Sequence, residues 1–147
     1  MGTLRQANSE MQEHVTEILD ESRWPDVLDA IVGVLRSKNV QEVKIEFGFV
    51  VDRDLRGELQ PRDSIVPLGF LRSLIAKGLE DGTIEWAGTS DFIFSPVGSD
   101  LTFMLCNDAD LHFASSNPES LRAVNDALIS LGVKVYLDGK LISVRSI

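Results

Sequence analysis

Apolar residues recur along this chain at two spacings, and the switches between them mark out the elements. Met11, Val15, Ile18 and Leu19 fall on one helical face, which predicts a first helix from Ser9 to the break at Trp24-Pro25. Ser9 would cap it, with Glu10, Glu13 and Glu17 near its positive end. His14 lies beside the stripe and is expected at the surface. Pro25 suits the first turn of a second helix, with Val27, Leu28, Ile31, Val34 and Leu35 as its buried stripe and Ser37-Lys38-Asn39 as its end. Over residues 40–52 the spacing becomes two. Val43, Ile45, Phe47 and Phe49 alternate with Glu42, Lys44, Glu46 and Gly48, a strand with one apolar and one wet face, as antiparallel sheets have.

Residues 52–64 are the most polar internal stretch, broken by Gly57 and Pro61, and read as a long loop. Leu68, Leu71, Leu74, Ile75 and Leu79 predict a helix over 67–79, with Gly82 as a left-handed cap. Short strands follow at 83–86, 91–95, 101–106 and 111–114, joined by turns at 95–99 and 107–110. Ser116-Asn117-Pro118-Glu119 is a helix entry, and Leu121, Val124, Leu128, Ile129 and Leu131 continue it to Gly132. Asp138-Gly139 joins a last pair of strands, 133–137 and 141–144, as a two-residue hairpin. Helices and strands do not alternate regularly, which disfavours a doubly wound sheet. The expected fold class is α+β: a mostly antiparallel sheet of about six strands with helices packed on one face. With no repeat or linker, residues 1–147 are expected to form a single domain, with 1–10 flexible.

Composition adds two constraints. The 147 residues are 44% apolar and 25% charged, enough for one hydrophobic core. Fourteen Lys and Arg against 23 Asp and Glu give a net charge of −9, which argues against nucleic acid and anionic membranes as partners and permits a basic protein. The single cysteine, Cys106, excludes an internal disulfide framework and a multi-cysteine zinc site. No apolar run approaches the length of a membrane span, and Met1 to Gln6 match neither a signal peptide nor a myristoylation pattern, so a cytoplasmic location is expected.

The charge is unevenly placed. Between Lys77 and Arg122 there is no Lys or Arg, while Glu80, Asp81, Glu85, Asp91, Asp100, Asp108, Asp110 and Glu119 supply eight acids. The remaining chain is close to neutral. Such a segment could form one acidic surface that speeds encounter with a basic protein. It also serves solubility without any partner.

The densest polar cluster is Cys106-Asn107-Asp108-Ala109-Asp110-Leu111-His112. A Cys106 nucleophile with His112 as base needs the two within hydrogen-bond reach, and no hairpin register brings them into direct contact. A metal site from Asp108, Asp110 and His112 would suit a hard or borderline cation, although Asp108 sits where turns favour Asp. Walker, Rossmann, GxSxG and HExxH patterns are absent, and no cofactor is expected. Trp24 and Trp86 fall near element ends, where an aromatic either closes a core edge or anchors a partner.

In charge and size alone, and not through any motif, the chain resembles small acidic single-domain bacterial proteins that bind other proteins, the toxin-neutralising immunity proteins among them. That likeness implies a non-catalytic module that neutralises or regulates a basic partner. Its surface would draw on Glu80, Asp81, Glu85, Trp86, Asp91, Asp108 and Asp110. The alternative is a small metal- or ligand-binding enzyme with its site at the 106–112 hairpin. A homo-oligomer joined through an edge strand such as 141–144 is a third expectation.

Overall fold

The computed structural model describes residues 11–47, 64–82, 92–105 and 109–142. The described strands form one antiparallel sheet of eight: β1 (Gln12–Thr16), β2 (Glu42–Phe47), β3 (Ser64–Pro67), β4 (Phe92–Pro96), β5 (Thr102–Leu105), β6 (Leu111–Ser115), β7 (Val135–Leu137) and β8 (Lys140–Ile142). Their spatial order is β3-β2-β4-β5-β6-β1-β7-β8. Three helices, α1 (Trp24–Ser37), α2 (Leu71–Asp81) and α3 (Pro118–Ile129), pack on one face, with α1 touching both of the others. The fold is α+β with an antiparallel sheet, as the patterning predicts, but the sheet has eight strands and not six.

Two strands account for much of the difference. Residues 12–16, expected within a first helix, are β1, which lies between β6 and β7; a short 3-10 turn at Glu21–Arg23 then leads into α1. In β1 the inward residues are His14 and Thr16, both buried, so its period-two pattern carries no apolar signature. The core accepts them because Thr16 Oγ and His14 Nδ1 have partners, although His14 Nε2 has none. Thr16 Oγ donates to the Glu17 carbonyl at 2.8 Å and accepts from the Leu111 N–H at 3.0 Å. His14 Nδ1 meets Asn125 Oδ1 at 3.0 Å. His14 is therefore a core residue, 5% exposed, and not the surface residue its place beside the apolar stripe suggests. The second strand is β3, at the end of the polar stretch, which pairs Val66 with Val43. A 3-10 turn at Leu68–Phe70 precedes α2, and Gly82 caps α2 at φ 85. The expected strand at 83–86 and most of the 52–64 loop lie outside the described residues.

Cross-strand register builds the core. One row runs His14–Phe113–Phe103–Phe94–Ile45 across β1, β6, β5, β4 and β2. Its rings touch in sequence: His14 meets Phe113 edge-on at 5.4 Å, and Phe103 stacks on Phe94 at 4.9 Å. Burial of each such side chain contributes about 1.5–3 kcal/mol. Ile31, Leu35, Leu71, Ile75, Val124 and Leu128 close over this row from the helices. Between the layers, Leu19, Trp24, Leu28, Ile75, Leu105 and Leu111 are among the residues around an apolar cavity of about 10 Å³, room for about one water molecule. Trp24 is thus half-buried at a core edge. The Asp138-Gly139 hairpin forms as expected, with both residues left-handed at φ 53 and φ 79.

Candidate functional site

Because the described helices occupy one face, the alternate residues of the described strands line the opposite, open face. A second row runs Ile93–Met104–His112–Val15–Tyr136–Leu141 across β4, β5, β6, β1, β7 and β8. His112 is its polar centre. Its Nδ1 lies 2.9 Å from Glu13 Oε2 and its Nε2 lies 3.0 Å from Asp110 Oδ1. The register that pairs Met104 with His112 brings these groups together, and β1 supplies Glu13. An imidazolium donates to both carboxylates, whereas a neutral ring donates to one only. Either way both ring nitrogens are turned to carboxylate oxygens. Among the described residues no group of three or more His, Cys, Asp or Glu is arranged to hold a metal ion.

Several acids gather toward one end of the sheet. There, the Leu19 N–H donates to the Ala109 carbonyl at 2.8 Å, which draws the segment carrying Glu17, Asp20 and Glu21 against the start of β6 and Asp110. Helix α2 descends toward the same end, where Ile75 shares the apolar cavity with Leu19, Trp24 and Leu111. The helix therefore finishes there, with Glu80 exposed in its last turn. The topology thus brings Glu17, Asp20, Glu21, Glu80 and Asp110, from three separate stretches, to this end. Bases are fewer: Arg23 is held by the Leu131 carbonyl at 3.0 Å, and Lys134 and Lys77 are nearby in the chain.

Asp100 and Glu119 belong to the opposite end, at the entry to α3. Asn117 caps the helix by accepting from the Glu119 N–H at 3.0 Å. Asp100 accepts from Ser120 Oγ at 2.8 Å and from Asn117 Nδ2 at 3.0 Å. Partial burial pushes the Asp100 carboxyl up, but the bonds from Ser120, Asn117, its own backbone N–H and Ser115 outweigh it and hold the group below its ordinary value. Asp100 thus has structural work at a helix start, and Glu119 is the acid of that helix's first turn.

Of the residues proposed from sequence for protein binding, the structure thus places Glu80, Asp81 and Asp110 at one end of the sheet. Glu85, Trp86, Asp91 and Asp108 lie outside the described residues, as does Cys106. Of the alternative metal set, Asp110 and His112 are in contact through Nε2. Sequence reasoning missed Glu13, Glu17, Asp20 and Glu21 as members of this region, because a helical reading of 9–23 places them far from the hairpin. Recognising a strand with polar inward residues would have brought them there. No helix among the described residues is long and apolar enough to cross a membrane. Compared with known proteins, the chain matches no family model, no curated protein and no solved structure.

Proposed function

We propose that this chain is a non-catalytic acidic binding module that neutralises or regulates a basic protein by occupying its basic surface. The observation that supports this reading is that the topology brings three acid-bearing stretches, Glu17 to Glu21, the end of α2 with Glu80, and Asp110, to one end of the sheet. On a chain of net charge −9, an acidic end of this kind attracts a basic protein and repels nucleic acid. Attraction of this kind acts mainly on the rate of encounter and on orientation, and apolar contact then supplies the lifetime of the complex.

The test is affinity purification from a lysate of the source organism on the immobilised chain, at low and high salt. The expected result is a stoichiometric basic protein retained at low salt and released as salt rises. A column that is clean at both salts, or one that captures an acidic protein with no salt dependence, contradicts the reading.

A further inference from the structure

The open face of the sheet contains a depression with a simple origin. Thr102 of β5 and Ala114 of β6 are opposite one another and both are small. Longer side chains ring them: Ile93, Met104, His112 and Glu13. The result is a hollow of about 170 Å³, open to solvent, with the backbone at Phe103 and Phe113 as its base. Glu13 stands at its rim, 56% exposed in its side chain, with Oε2 on His112. From the hollow an apolar row continues through Val15 and Tyr136 to Leu141, which is 57% exposed. The full row from Ile93 crosses six strands, roughly 24 Å at about 4.8 Å per strand.

A partly exposed row of this length, over which no described helix packs, has the make-up of an interaction surface when bordered by charge. The charge on the face selects the occupant. Strand alternation puts Glu13 and Glu42 on it, and Asp110 joins through His112; Lys44 is the one lysine or arginine on these described strands' open face. A second copy of this chain would set these acids against themselves on a molecule already at −9. A basic partner meets the opposite situation.

We propose that this face docks a basic protein segment, which seats one arginine side chain in the hollow over Thr102 and Ala114 and lays apolar residues along Val15, Tyr136 and Leu141. The inference rests on the reading that the partner is a basic protein, and adds the surface and the anchor. Arginine fits better than lysine for two reasons. Its methylene stem can cover Met104 and Ile93, and its planar guanidinium can pair with the exposed Glu13 carboxylate while lying against the His112 ring.

The experiment is selection of a random phage-displayed peptide library on the full chain, followed by calorimetric titration of the selected peptides. Four chains are compared: wild type, Glu13→Gln, Ala114→Leu (which fills the hollow) and the acidic-end variant Asp20→Lys/Glu21→Lys/Glu80→Lys. Glu13→Gln is a conservative change at an exposed site, so it remains informative if Ala114→Leu fails to fold. The expected peptides alternate Arg with apolar residues. Their affinity should fall at least about tenfold on Glu13→Gln, on Ala114→Leu and on replacing the key Arg by Ala, the scale of an anchor residue at an interface. Peptides that bind all hollow variants undiminished, but lose binding to the acidic-end variant, overturn the docking face and leave the basic-partner reading standing. Selected peptides without basic residues overturn both. Self-association of the wild type that Ala114→Leu abolishes makes a second copy the occupant, and peptide binding that appears only after deleting residues 1–10 makes the chain's own terminus the occupant; either result overturns the proposal.

Discussion

Replacing Asn125 by Leu should destabilise the protein, and replacing His14 by Leu as well should restore it. His14 is 5% exposed and Asn125 8%, and they meet through Nδ1 and Oδ1 at 3.0 Å. Since Oδ1 only accepts, Nδ1–H is the donor, and Nε2 faces the interior with no hydrogen-bond partner. Asn125→Leu strands the Nδ1–H beside an Nε2 that is already without a partner. Leaving a buried donor unmade costs about 1–3 kcal/mol. His14→Leu strands the Asn125 amide in the same way and also loses the edge contact with Phe113, worth about 0.5–1.5 kcal/mol. The double variant removes both polar groups, including the orphaned Nε2, and replacing a buried pair by apolar groups is close to neutral. With each single variant about 2 kcal/mol below wild type and the double variant near it, the cycle should return a coupling energy of about 4 kcal/mol. In urea, with a slope of about 2 kcal/mol per molar, each single variant should unfold about 1 M earlier than wild type and the double variant near it. Single variants within about 0.5 kcal/mol of wild type, or a double variant as destabilised as the sum of the two, would refute this account of how β1 tolerates a core histidine.

Three further outcomes follow from the same structure. Asp100→Asn should lower stability by about 0.5–1 kcal/mol at neutral pH, the lower part of the range for capping interactions, since the carboxylate is partly solvated. Its native value is depressed, so the stabilisation is complete above the unfolded carboxylate range near about 3.9 and is lost as pH falls through the lowered native value. Urea midpoints of wild type and variant should thus converge in acid, and a constant gap across pH contradicts the assignment. Phe103→Ala should cost about 3–5 kcal/mol by thermal or urea unfolding, since the ring is fully buried between Phe94 and Phe113; a cost under about 1 kcal/mol would show that the row is not central to the core. Gly139→Ala should cost about 1–2 kcal/mol, because φ 79 strains any residue with a Cβ, while Gly33→Ala, on an exposed helix position with open space around it, should stabilise by about 0.5–1 kcal/mol. Equal effects at the two glycines in the same unfolding assay would contradict the turn geometry.

Much of the fold is legible in the chain because local signals agree with tertiary ones there. Helix α3 begins at Asn117-Pro118 and carries an apolar stripe, and both features are used in the structure. The Asp138-Gly139 turn takes the left-handed conformation its residues favour. Strand β1 was not legible for a physical reason. A strand shows its period through apolar inward residues, and His14 and Thr16 are inward but polar, with His14 Nδ1 met by Asn125 and Thr16 Oγ by Glu17 and Leu111. Meanwhile Met11, Val15, Ile18 and Leu19 imitate a helical face, although in the structure Met11 and Ile18 are exposed. Strand β3 hides for another reason: four residues ending in Pro67, adjoining a polar stretch, are too few to show alternation. The candidate site inherits these gaps. Asp110 and His112 could be named from their cluster, but Glu13 reaches His112 only because residues 12–16 pair with 112–115. The acidic end gains Glu17, Asp20 and Glu21 through the same pairing.

The most direct test of the central claim is the association rate of the purified chain with the basic protein it captures, measured by stopped flow over salt from about 0.02 to about 0.5 M. The acidic end predicts a rate that falls steeply with salt, and an Asp20→Lys/Glu21→Lys/Glu80→Lys variant that associates on the order of tenfold more slowly at low salt yet converges with wild type at high salt. An association rate insensitive both to salt and to reversal of these three charges would contradict the claim that this end of the sheet recruits a basic partner.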